Sequence, residues 1–393
     1  RSSRKNMAKF KIKTYNTISQ IGLDKFGQDY ELGADLNDPD AIMLRSYNLH
    51  DEALSDSVLA VGRAGAGTNN IPVDDLAQKG IVVFNAPGAN ANSVKELVIA
   101  GMLLAARNLP DALSYVSGLG EEGMKEAVEA GKKKYAGSEL RGKTLGIIGL
   151  GAIGYRVANS ATDLGMKVLG YDPAMTVSNA WQLSPAVDKI DDLDVLLEQS
   201  DFVTIHVPLL DATRGLLSAE KLAMMKPSAV LLNFARDELV DEPALIKLLD
   251  EGKLSQYVSD FPNTITKGHD KIIDLPHLGA STEEAEDSCA IMIADQLQEY
   301  LENGNIQCSV NFPEAKLARK GSSRLTLAHK NEAGVVAQIT QILGTASINI
   351  VELLNKSRGD LAYTIIDLEV NEVPDTVQQN LQNIPSLLRY RII

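Results

Sequence analysis

The stretch SDFPNTITKGHDKIIDLPHLGAST, residues 259–282, contains a histidine, His277, set close to glycine and small hydroxyl residues. Histidine exchanges protons near neutral pH and is the usual side chain for acid/base work. Upstream, in LLNFARDELVDEPAL, stands Arg236. A guanidinium presents a planar fork of donors that matches a carboxylate with two parallel hydrogen bonds. A proton acceptor and a carboxylate clamp suit oxidation of a 2-hydroxy acid, in which the hydroxyl loses its proton as the neighbouring carbon loses hydride. Taken alone, Arg236 reads equally well as a surface salt-bridge residue. A histidine base also needs an orienting group, commonly a carboxylate. Asp260, Asp270 and Asp274 are the acidic residues of the segment.

Hydride needs an acceptor, and KTLGIIGLGAIG supplies a place for one. Gly149, Gly151 and Gly154 form G-x-G-x-x-G after the strand-like TLGII and at the opening of a helical pattern. The first glycine permits a tight turn, the second lets a pyrophosphate approach the backbone, and the third lets helix and strand pack closely. The helix N-terminus then offers free N–H groups to phosphate. Asp172 ends the next strand, MKVLGYD. A carboxylate there accepts hydrogen bonds from a ribose 2′-hydroxyl and repels a 2′-phosphate, which favours NAD over NADP.

These residues must be held by strands. DFVTIHVP, AVLLNFA and SQYVSDF continue the series begun by TLGII and MKVLGYD, with helical patterns between them. Strands alternating with helices imply a parallel, doubly wound sheet. A shorter α/β rhythm precedes it in FKIKTYN, AIMLRS, LAVGRAGAG and IVVFNAP, and SVKELVIAGMLLAAR is a long apolar helix suited to a core or a subunit contact. After NFPEAKLARKG the pattern becomes strand, helix, strand, strand, helix, strand, the ferredoxin-like βαββαβ order. The expected organisation is α/β throughout. Residues 7–92 with 285–310 form a flavodoxin-like substrate-binding domain. Residues 93–284 form a Rossmann cofactor domain, 311–321 a linker, and 322–393 the βαββαβ unit. RSSRKN before Met7 is left out of the fold reading.

Composition narrows the partners. Of the 393 residues 45% are apolar, enough for real cores, while the net charge of −14 argues against nucleic acid or an anionic membrane as a partner. No stretch reads as a membrane span or a signal peptide. Two cysteines, Cys289 and Cys308, make neither a disulfide framework nor a metal spacing, which fits a cytoplasmic setting and no metal site. A small anionic substrate needs local positive charge, and Arg45 in LRSYN and Arg63 in GRAGAG each end a strand. Lys132, Lys133 and Lys134 read as a solvated helix end, His206 as structural, and His50 and His269 as solvated.

Four motifs in order, GLGAIG…YD, TIHVPLLDATRGLL, LLNFARDELVDEPAL and LPHLGAST, resemble the D-2-hydroxyacid dehydrogenase family over about residues 7–309. The last unit resembles an ACT domain, a small-molecule sensor. The combination resembles the serine-regulated members, which oxidise 3-phospho-D-glycerate with NAD at the entry to serine biosynthesis. By that resemblance Arg236 binds the substrate carboxylate and His277 is the acid/base. Gly149, Gly151, Ile153, Gly154, Asp172, Pro208 and Asp260 hold NAD, with Asp260 on the nicotinamide carboxamide. Arg45, Ser46, Arg63 and Gly65 meet the substrate, a phosphorylated 2-hydroxy acid. His329, Asn331 and Asn349 meet L-serine, and the chain forms a homodimer or homotetramer.

Two positions depart from the family pattern. Where the family carries the glutamate that orients the histidine, this chain has Asn263 or Thr264, and Asp237 replaces a glycine beside the arginine. Two alternatives therefore stand beside the main reading. One is a dehydrogenase for another D-2-hydroxy acid, and the other is a weakly active NAD-binding sensor or scaffold.

Overall fold

The computed structural model describes residues 9–393. Residues up to 89 together with 286–393 make one compact unit, and 90–285 make a second.

The first sheet holds β1 (Phe10–Thr14), β2 (Tyr30–Gly33), β3 (Ala41–Leu44), β4 (Ala60–Arg63) and β5 (Val82–Phe84), all parallel in the order β2-β1-β3-β4-β5. This is the flavodoxin-like arrangement. Parallel strands are covered on both faces and so read as continuous apolar runs, and β3 is buried along its whole length. Ile12, Met43, Ala60 and Phe84 pack one face against Ala290, Ile293 and Leu297 of helix Glu283–Asn303. The contact is close enough that a Cβ on Gly62 would lie 2.5 Å from Ile293.

The second unit is built on seven parallel strands. They are β6 (Thr144–Ile148), β7 (Lys167–Tyr171), β8 (Asp188–Lys189), β9 (Phe202–Ile205), β10 (Val230–Asn233), β11 (Gln256–Ser259) and β12 (Ile272–Asp274), in the order β12-β11-β10-β9-β6-β7-β8. The order reverses between β6 and β9, and ligands of such sheets bind at the carboxyl ends of the strands beside that switch point. Helices Ala91–Ala106 and Gly154–Asp163 cover one face through Val94, Val98, Met102, Val157 and Ala161. Leu196, Leu222, Leu245 and Leu249 cover the other.

The C-terminal segment forms an antiparallel sheet of β13 (Ser323–Lys330), β14 (Ile350–Arg358), β15 (Leu361–Leu368) and β16 (Leu387–Ile392), in the order β14-β15-β13-β16. Helices Val335–Thr345 and Asp375–Gln382 cover one face. Tyr363 and Ile365 on the other face join the core of the first sheet. Inside this junction Arg324 is fully buried and pairs with Asp367 through two hydrogen bonds, of 2.6 and 2.9 Å. Its Nη1 donates to the carbonyls of Asn303 and Leu317. A buried guanidinium is tolerated only when its donors are satisfied in this way.

Candidate active site

The glycine turn follows β6 at the switch point of the seven-stranded sheet. Gly149 has φ +91, a conformation that penalises any side chain, and a Cβ there would lie 2.6 Å from the carbonyl oxygen of His206. A Cβ on Gly154 would collide with the Gly149 carbonyl at 1.9 Å, so this glycine serves packing. A Cβ on Gly151 would meet nothing within 4 Å, which leaves open space against the backbone where a pyrophosphate would lie. Ile153 caps the helix that opens at Gly154 and packs on the core. Asp172, just past β7, accepts the N–H of Leu150 at 2.8 Å and of Ala174 at 2.9 Å, so this carboxylate braces the glycine turn. Pro208 follows β9, and its carbonyl accepts from the Thr213 hydroxyl at 2.6 Å. His206 is half-buried and bonded to Thr204, and desolvation of its ring lowers its pKa to about 3, so it is a neutral structural ring.

Past β10 and β11 the chain brings Arg236 and His277 against one ring, that of Phe261. The Phe261 and His277 rings lie 4.7 Å apart at 47°, and the Arg236 guanidinium sits 5.9 Å from the centre of the Phe261 ring. Asn233, buried at the end of β10, donates to the Arg236 carbonyl at 2.8 Å and fixes the bend that presents the arginine. Asp237, which replaces a glycine, opens a short 3-10 turn and does not have positive φ, so the substitution carries no backbone strain.

Neither ring nitrogen of His277 is hydrogen-bonded among the described residues. Asp270 is exposed. Asn263 is occupied elsewhere. Its amide donates to Glu242 at 2.7 Å, and its oxygen accepts the N–H groups of Ile265 and Thr266. Asp274 lies beside Thr266, and burial raises its pKa. The carboxylate that acts on the histidine segment is Asp260. It is fully buried, its Oδ2 accepts the Gly279 N–H at 3.1 Å, and it feels the His277 charge. Burial raises its pKa, opposed first by the Gly279 bond and then by His277. Its Oδ1 accepts no well-formed hydrogen bond among the described residues. An orphaned buried acceptor close to His277 fits a bound carboxamide donor.

In the first unit, Arg45 pairs with Glu286 at 2.6 Å, and Arg63 donates to the Arg45 carbonyl at 3.0 Å. Arg63 also folds over its own glycine loop, where it meets Asn69 at 3.3 Å and the positions a Cβ would take on Gly65 and Gly67. The N–H of Ser46 is held by Asn16.

Residues 99–281 match the model of the D-isomer specific 2-hydroxyacid dehydrogenase NAD-binding domain. A D-3-phosphoglycerate dehydrogenase of Methanocaldococcus jannaschii is 36% identical over 91% of this chain and 67% of its own length. That of Escherichia coli K12 is 33% identical over 93% of this chain and 89% of its own. The chain belongs to the D-isomer specific 2-hydroxyacid dehydrogenase family. A solved NAD-bound 3-phosphoglycerate dehydrogenase of Entamoeba histolytica superposes with a TM-score of 0.59 at 26% identity, covering 77% of this chain and 99% of that one. Rhodotorula graminis D-mandelate dehydrogenase shares the fold, with a TM-score of 0.67 at 22% identity over 79% of this chain and all of that one.

As a D-2-hydroxyacid dehydrogenase the protein uses NAD, and the turn at Gly149–Gly154 with the Asp260 acceptor fits that cofactor. No single described helix is long and apolar enough to cross a membrane. Lys132–Tyr135 form a 3-10 turn with exposed lysines. Two polar residues differ from expectation. His269 is only 18% exposed and pairs with Asp250 at 3.0 Å instead of being solvated. His329 is buried in β13, with Nδ1 bonded to the Lys330 carbonyl and Nε2 to Thr364, so its ring is engaged inside the sheet. Asn331 donates to the Gly359 carbonyl at 3.0 Å and Asn349 to Glu369 at 2.6 Å. Phe261, next to Asp260 in the chain, is a site residue that no motif singled out.

Proposed function

We propose that the protein oxidises 3-phospho-D-glycerate to 3-phosphohydroxypyruvate with NAD, the first step of serine biosynthesis. The names of the relatives support this substrate. The observation that carries the chemistry is the set Arg236, Phe261 and His277, which holds a cation and an acid/base residue against one ring.

Bound NAD supplies the hydride acceptor. Arg236 offers parallel N–H donors to the substrate's carboxylate, and His277 takes the C2 hydroxyl proton on a ring nitrogen as hydride leaves C2. Phe261 packs against both groups. Asp260 holds the histidine segment through Gly279 and offers Oδ1 to the carboxamide, while Asp172 accepts from the ribose. Arg45, Ser46, Arg63 and Gly65 hold the charged ends of the substrate, within a substrate-binding domain of residues 7–92 and 285–310. NADH formation from 3-phospho-D-glycerate, D-glycerate, D-lactate and D-2-hydroxyglutarate tests the assignment. A preference for one of the last three would replace the substrate, and no turnover with any would favour a cofactor-binding sensor. That second reading draws on the His277 ring, which has no carboxylate bonded to it.

The C-terminal unit is an ACT regulatory domain on this reading, with L-serine as effector in a cytoplasmic homodimer or homotetramer. Its βαββαβ order supports the assignment. Asn331 lies beyond the end of β13 that pairs with Leu361, and Asn349 before the end of β14 that pairs with Leu368. The two amides thus stand at opposite ends of one sheet. A single small ligand reaches both only where two copies pair.

A further inference from the structure

The backbone of Arg45–Tyr47 is held by side chains from other parts of the first unit. Asn16, just past β1, accepts the N–H of Ser46 at 3.1 Å and of Tyr47 at 2.7 Å through one oxygen. Asn70 donates both hydrogens of its amide to the same segment, to the carbonyls of Arg45 at 3.1 Å and Tyr47 at 2.7 Å. The Tyr47 ring stacks on Tyr15 at 4.3 Å, and its hydroxyl donates to Glu52.

Three details mark this as more than routine satisfaction of polar groups. Asn16 and Ser46 are exposed, so water would satisfy the loop's N–H groups without help. Asn16 stands at φ +65, a left-handed conformation that costs most side chains and is best tolerated by asparagine and aspartate after glycine. Asn70 turns both amide hydrogens toward the loop and leaves its own Oδ1 buried without a partner. Two unfavourable placements therefore converge on one short segment, and their shared result is a fixed path for Arg45 and Ser46.

We propose that Asn16 and Asn70 are positioning residues that preset the Arg45–Ser46 segment for the anionic substrate. The inference rests on the reading that this segment meets the substrate. A preset loop loses less conformational freedom on binding, so the effect falls on substrate affinity and leaves cofactor affinity alone. Asparagine supplies both the left-handed turn and the acceptor. Glycine keeps the turn and removes the acceptor, so Asn16→Gly separates the two.

The test compares the full chain with Asn16→Gly, Arg45→Ala and the double variant, using the 2-hydroxy acid that the protein turns over. Asn16→Gly is expected to raise KM for that acid about tenfold, with kcat within about twofold and KM for NAD and Tm unchanged. Arg45→Ala is expected to raise KM at least as much in the parent, but by less than about threefold further in the Asn16→Gly background, since the arginine is then already misplaced. Asn70→Ala, a second route to the same loop, is expected to repeat the KM effect. If Arg45→Ala matters and Asn16→Gly does not, or if the two effects simply multiply, the positioning claim is overturned alone. If Arg45→Ala leaves KM unchanged, the assignment of this segment to the substrate falls, and the positioning claim with it.

Discussion

Phe261 and His277 lie with ring centres 4.7 Å apart, and the Arg236 guanidinium stands 5.9 Å from the centre of the same phenyl ring. One side chain thus touches both of the groups proposed to act on a 2-hydroxy acid. Aromatic contacts of this kind contribute about 0.5–1.5 kcal/mol each. Phe261→Leu should therefore lower kcat about three- to tenfold without altering the Kd for NAD, and Phe261→Tyr should retain most of the activity. Equal loss of NAD affinity in Phe261→Leu would mean that the ring supports the domain rather than the chemistry.

His277→Gln removes the proton carrier. Turnover should fall by about 10²–10⁴-fold. Because His277 is exposed and its ring nitrogens bond to nothing among the described residues, Tm should hardly move. A variant that keeps more than a tenth of wild-type turnover would assign the proton to another group.

Cofactor preference rests on Asp172. A 2′-phosphate placed against its carboxylate should cost roughly 1.4 kcal/mol or more, so NAD should bind at least about tenfold more tightly than NADP. Titration of both cofactors decides it. Asp172 also holds the Leu150 and Ala174 N–H groups, so Asp172→Ala should weaken NAD itself as well as narrow the ratio.

Glu242 is buried beside Asn263, and burial raises its pKa. A carboxyl whose pKa is higher folded than unfolded binds its proton more tightly in the native state. Its favourable contribution is complete below the unfolded pKa and is lost as pH rises through the folded one. Glu242→Gln keeps an acceptor for Asn263 and removes the ionisation. It should raise Tm at neutral pH and change it little at pH about 4, read by calorimetry across pH.

Much of this was legible in the sequence, because the signals were local. Each glycine of the Gly149–Gly154 turn does a separate job at short range, and the strands β6, β7, β9, β10 and β11 are apolar runs. The C-terminal βαββαβ order also followed from its periodicity. Three strands did not stand out. β2 (Tyr30–Gly33) and β12 (Ile272–Asp274) are short and have no fully buried residue, and β8 is two exposed residues. The neighbour of His277 was illegible for a different reason. The resemblance puts Asn263 or Thr264 where the family has its glutamate; Asn263 binds Glu242, and the histidine gains an aromatic ring and a backbone tie through Asp260. Such replacements depend on packing across residues distant in sequence.

L-Serine tests the regulatory reading. Millimolar or lower L-serine should inhibit turnover, with a coupling of about 1–3 kcal/mol. Asn349→Ala should abolish inhibition while leaving uninhibited activity within about twofold. An effector bound across paired sheets also requires a dimer at least, so a monomer by light scattering at micromolar concentration would remove the basis for it.

The proposed reaction is hydride transfer from C2 of 3-phospho-D-glycerate to NAD with His277 taking the proton. Its most direct measurement uses substrate deuterated at C2, with wild type and His277→Gln followed by NADH formation and mass spectrometry of the cofactor. One deuterium in the reduced cofactor, stoichiometric 3-phosphohydroxypyruvate from the wild type, and turnover at least about a hundredfold lower in the variant are expected. Unlabelled reduced cofactor, or no reduction of NAD by 3-phospho-D-glycerate in the wild-type protein, would contradict it.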